Sequence, residues 1–76
     1  MVIRFTLPRS EMVELTLYGL TGQKVATLIE GSLNAGSHDV LWNGLDSQGR
    51  VMASGLYFYR LKTGTHVQVR KLLLLH

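Results

Sequence analysis

Apolar and polar residues alternate with a period of two along most of this chain, and helical spacing is almost absent. Over residues 2–7, Ile3, Phe5 and Leu7 fall on one side and Arg4 and Thr6 on the other. Pro8 cannot donate to a ladder and ends that strand. Over residues 12–20, Val13, Leu15 and Leu17 are predicted to point inward and Glu14, Thr16 and Tyr18 outward. Leu20-Thr21-Gly22-Gln23 reads as a tight turn into a third strand at 24–30, with Gly22 supplying a positive φ. Residues 31–36 read as a loop turning at Asn34-Ala35-Gly36, and 37–43 as a fourth strand with His38, Val40 and Trp42 on one face.

Turn signals at Asn43-Gly44 and Asp46-Ser47-Gln48-Gly49 lead to a short fifth strand at 50–53. A sixth at 55–63 puts Tyr57, Tyr59 and Leu61 inward, and Gly64-Thr65 turns the chain into a seventh at 66–75. Seven short strands punctuated by turn residues predict an all-β fold, an antiparallel β-sandwich in which residues 1–76 form one domain.

The last strand breaks the pattern. Val67 and Val69 alternate with Gln68 and Arg70, but Leu72-Leu73-Leu74-Leu75 is apolar on both faces. A strand with two apolar faces is either tucked between sheets or an edge that pairs with another chain. With the adjoining basic pair, this makes Arg70, Lys71, Leu72, Leu73, Leu74 and Leu75 the candidate partner-binding residues.

Composition sharpens this picture. A chain of 76 residues buries only roughly 60% of its unfolded surface, so its stability is thin. With 46% apolar and 17% charged residues it carries a real core rather than disorder. There is no cysteine, which excludes a disulfide staple and a thiolate metal site. The net charge of +3 is concentrated after Asp46, the last acidic residue, in Arg50, Arg60, Lys62, Arg70 and Lys71. These cations are scattered along strands rather than clustered, so a solvated sheet face is expected and not nucleic-acid binding. No targeting segment is recognisable, and the longest apolar run is far short of the roughly 20 residues of a transmembrane helix. The chain is expected to be a module of a longer protein.

Chemistry finds little purchase. His38, His66 and His76 lack metal-ligand spacing, and no further acidic ligand completes a calcium loop after Asp46. No Gly-x-Ser-x-Gly elbow is present, and the one carboxylate pair considered, Glu11 with Glu14, lacks the pocket that such a site needs. No catalytic, cofactor or metal site is therefore expected. Tyr18 and Phe58, the aromatics on outward registers, are the sole basis for a carbohydrate-binding reading.

Four stretches carry a family likeness. They are Ile3-Arg4-Phe5-Thr6-Leu7-Pro8, Val13-Glu14-Leu15-Thr16-Leu17-Tyr18-Gly19-Leu20-Thr21-Gly22-Gln23-Lys24-Val25, Ala35-Gly36-Ser37-His38-Asp39-Val40-Leu41-Trp42-Asn43-Gly44, and Ser54-Gly55-Leu56-Tyr57-Phe58-Tyr59-Arg60-Leu61 with the closing Arg70-Lys71-Leu72-Leu73-Leu74-Leu75. Together they resemble the C-terminal sorting domain of cargo proteins exported by the type IX secretion system. They also resemble the immunoglobulin-like domain of the flagellar hook-capping protein, in which aspartate stands at the place of Asn43. The resemblance implies a seven-stranded immunoglobulin-like sandwich, secreted or displayed at the cell surface by way of the periplasm. It implies the outer-membrane secretion machinery as partner, with Arg70 to Leu75 carrying much of the signal. On the hook-capping branch it implies a structural subunit of a hook scaffold or extracellular filament, partnered by identical or homologous β-sandwich subunits.

Overall fold

A computed structural model describes residues 1–64 and 66–75. Among them six strands form: β1 (Val2–Leu7), β2 (Glu11–Tyr18), β3 (Lys24–Leu33), β4 (Gly36–Leu41), β5 (Gly55–Thr63) and β6 (His66–Leu74). No helix is present among the described residues. The strands make two antiparallel sheets, β1-β4 and β3-β2-β5-β6. The inward rows meet between them: Ile3, Phe5 and Leu7 from β1, Val13, Leu15 and Leu17 from β2, and Tyr57 and Leu61 from β5. Leu15 and Leu17, on the central strand, are fully enclosed.

The expected fifth strand does not form. Residues 50–53 contribute a single bridge, Leu45 to Val51, so the described residues form six strands where seven were expected. The reason is the side chain of Asp46. Its Oδ1 accepts from the backbone N–H groups of Gln48 and Arg50, both at 2.9 Å, and its Oδ2 accepts from Arg50 Nε at 2.9 Å. These bonds fold the chain back on itself before a ladder can grow. They also hold the Asp46 carboxyl below the usual carboxylate range, the Arg50 backbone N–H contributing most.

A depressed folded-state pKa gives stability that is present above the unfolded value of 3.8 and is lost as pH falls through the folded value. Asp46→Asn is therefore expected to melt lower than the parent at neutral pH and to flatten the acid side of the melting temperature profile. An unchanged acid limb would show that the Asp46 turn is not linked to folding.

Two further departures are physical. Residues 31–33, expected in a loop, extend β3 because β2 already begins at Glu11 and offers them partners, Glu11 opposite Leu33 and Val13 opposite Gly31. The crossing from one sheet to the other is then left to Asn34 and Ala35, with Gly36 at φ 122°, a conformation side chains resist. His38 Nε2 closes this corner on Asn34 O at 2.7 Å. Secondly, Thr16 is buried on the outer face of the larger sheet, directly opposite Arg60. The Arg60 side chain lies over that face, with Nη2 2.9 Å from Glu14 Oε1 and its guanidinium 5.5 Å from the Tyr18 ring centre. The Gly64-Thr65 turn is described only as far as Gly64, Thr65 lying outside the described residues.

Trp42 closes one end of the sandwich. Its N–H donates to the carbonyl of Met1 at 2.9 Å, continuing the β1-β4 ladder, and its indole N–H donates to Leu45 O at 2.9 Å. Its ring meets Tyr57 edge-on at 5.3 Å, and the Tyr57 hydroxyl donates to Ala53 O at 2.6 Å. The two aromatic rings thus pin both ends of the irregular segment between β4 and β5.

Candidate functional site

β6 is an edge strand, bonded to β5 alone. An antiparallel strand with one neighbour directs the N–H and C=O of alternate residues away from it, so β6 offers a row of unused main-chain groups. Its side chains separate by parity. Leu72 and Leu74 point into the core at 8% and 6% exposure, whereas Leu73 stands on the outer face at 47%. The run is thus tucked into the core on one face and left open on the other.

The candidate residues are therefore not one surface. Leu72 and Leu74 are spent on the domain's own core, in the cluster that includes Trp42 and Tyr57. Lys71 and Leu73 lie on the outer face, opposite Phe58 and Leu56 of β5. Arg70 lies on the inner side, opposite Tyr59, and lines an open groove between the sheets. Leu75, just past the strand, is 72% exposed. The basic pair is thus divided between two faces of the sheet.

Val67 and Val69 join the outer face, both more than half exposed, and with Leu56 and Leu73 they form an apolar strip along the free edge. Neither valine nor Leu56 is among the candidates named from sequence, although the alternation Val67-Gln68-Val69 already carried the signal. Such a strip beside unpaired main chain is what β-augmentation uses: backbone bonds hold the added strand and alternate side chains select it.

The other candidates resolve into structure. Among the described residues no three His, Asp or Glu side chains come together as a metal-holding group. His38 stacks on Phe5 at 5.4 Å between ring centres, and His76 lies outside the described residues. Tyr18, proposed with Phe58 as a sugar platform, has the guanidinium of Arg60 over its ring. On the β1-β4 sheet Arg4 grips Asp39 through two bonds, at 2.7 and 3.2 Å, and holds its carboxyl below the usual range. No helix among the described residues is long and apolar enough to cross a membrane.

Comparison with known proteins adds one finding. The family model of the FlgD Ig-like domain matches residues 1–66. No curated protein and no solved structure matches the chain. The matched segment covers β1 to β5 and stops at the first residue of β6, so β6 lies almost wholly beyond it.

Proposed function

Because the chain belongs to the FlgD Ig-like domain family, we propose that it is a non-catalytic docking module, joined to its partner by strand addition at the free edge of β6. The observation that carries this reading is the split of β6: leucines on one face anchor the strand, while the other face and one edge stay open. An added strand would bond the alternate main-chain groups of β6 and lay its side chains along Val67, Val69 and Leu73. Lys71, in the same row, favours an acidic residue opposite it.

Combined with the resemblance to type IX sorting domains, this supports reading the module as one for sorting and surface attachment of a secreted cargo, with the outer-membrane export machinery as partner. The test fuses residues 1–76 to a reporter bearing its own Sec signal. The fusion is expressed in a host competent for type IX secretion and in a secretion-null sibling. Reporter at the surface or in the medium of the competent host alone is the expected result. Reporter retained in the periplasm of both hosts overturns the sorting reading.

The match to the FlgD Ig-like domain favours a second reading, an assembly subunit whose edge pairs with identical or homologous sandwiches. Light scattering separates the two. Concentration-dependent growth in mass supports assembly, and a monomer at high concentration removes it.

A further inference from the structure

The two sheets are unequal, and the inequality leaves a vacancy. Four strands face two, so part of the inner face of β5 and β6 has no strand above it. Near Trp42 the segment between β4 and β5 fills the space. Toward the opposite end it stays open as a groove of about 430 Å³, walled by Arg4, Phe5 and Thr6 and floored by Tyr59, Leu61, Gln68 and Arg70. A second cavity of about 250 Å³ continues it past Leu7 to Thr63 and His66, sharing Thr6, Leu61 and Gln68. Gln68 and Arg70 sit on the same inward row as Leu72 and Leu74, yet they are exposed because nothing covers them.

The wall of this groove is a bonding edge. Met1 and Trp42 exchange main-chain bonds, N–H of Trp42 to O of Met1 at 2.9 Å and the amino terminus to O of Trp42 at 3.4 Å. In an antiparallel ladder bonded pairs alternate with non-bonded ones. With Val2 opposite Leu41 and Ile3 opposite Val40, the bonded residues of β1 are Ile3, Phe5 and Leu7. The N–H and C=O groups of Arg4 and Thr6, both on the groove wall, therefore point along the sheet into the vacancy.

Charge says what fits there. Arg4, Arg9, Arg50 and Arg60 each have a carboxylate within 4.0 Å. Among the described residues Arg70 has none. The lone carboxylate on the lining, Glu11, lies 3.6 Å from Arg9 at the far end. The groove thus combines a free strand edge, an apolar floor at Leu61 and Tyr59, and an unmatched guanidinium.

We propose that this groove receives an acidic extended segment of a partner protein, added as a third strand on β1 with its carboxylate on Arg70. The added strand bonds Arg4 and Thr6 through its main chain. Its inward side chains alternate between an apolar contact over Leu61 and a carboxylate at Arg70, a charge-assisted pair suited to the guanidinium fork. This site is separate from the free edge of β6 and does not depend on the reading proposed for it.

The probe is a blocked peptide, Thr-Val-Thr-Glu-Thr-Val-Thr, titrated into the labelled full chain to about 1 mM while amide and arginine side-chain resonances are followed. Saturating shifts at the Arg4 and Thr6 amides and at Arg70 Nε are expected. A lysine-for-glutamate peptide should bind about tenfold more weakly, and Arg70→Glu should reverse that preference. Thr6→Pro removes an N–H that bonds nothing in the domain, so it should keep the fold and lose the peptide. Equal affinity for the two peptides, shifts confined to Val67, Val69 and Leu73, or no shift at all overturns the proposal.

Discussion

Replacing Trp42 by alanine is expected to remove most of the stability of the domain. The indole is 1% exposed, stands edge-on to Tyr57 and holds the Leu45 carbonyl. Truncating a buried Trp costs about 3–5 kcal/mol, and the abandoned carbonyl adds to the cost where water cannot reach it. A domain of 76 residues has about 4–11 kcal/mol to lose. Thermal melts followed by circular dichroism should show a midpoint lowered by about 15–30 °C, or no cooperative transition. Trp42→Phe keeps a ring against Tyr57 and should fall between the two. A Trp42→Ala midpoint within a few degrees of the parent would contradict the role assigned to the indole.

The second large effect is a contrast between neighbours. Leu72→Asp places a carboxylate among Trp42, Tyr57 and Leu74, where an unpaired charge costs several kcal/mol, and the chain should not fold. Leu73→Asp alters an outer-face position and should melt within about 0.5 kcal/mol of the parent. Fused to the secreted reporter, the Leu73→Asp domain should fold and yet fail to be exported. Normal export of that fusion would remove the outer face of β6 from the docking surface. Parent-like folding of Leu72→Asp would mean that β6 is displaced by one residue, which exchanges its two faces.

That contrast also marks how far the sequence could be read. In β1 and β2 the inward rows Ile3-Phe5-Leu7 and Val13-Leu15-Leu17 were legible because polar residues separate them. In β6 the same parity runs through three identical leucines, with a fourth just past the strand, and identical residues carry no mark of which face they serve. Gly31 and Ser32 look like punctuation, and only the reach of β2 toward Glu11 makes them strand. The lost fifth strand turned on one side chain, because Asp46 can satisfy locally the backbone that a ladder would use. The groove beside β1 had no local signature at all. Strand order is a long-range property, and the vacancy exists only because β1 pairs with β4 and β6 pairs with β5.

The smaller sheet has a consequence in time rather than space. Its Arg4–Asp39 pair joins residues 35 apart, whereas the β2-β3 and β5-β6 pairs are hairpins between neighbours in the chain. Loop closure costs about 0.6 kcal/mol for each doubling of length, and that cost falls due before the contacts form. Within the four-stranded sheet the two hairpins must also join, through a β2-β5 pairing in which Glu14 and Arg60 stand 46 residues apart, so each sheet depends on a long-range encounter. Until both are made, the enclosed leucines of β2 remain accessible to whatever meets the nascent chain, and the rates of these two long-range encounters set how long the exposure lasts.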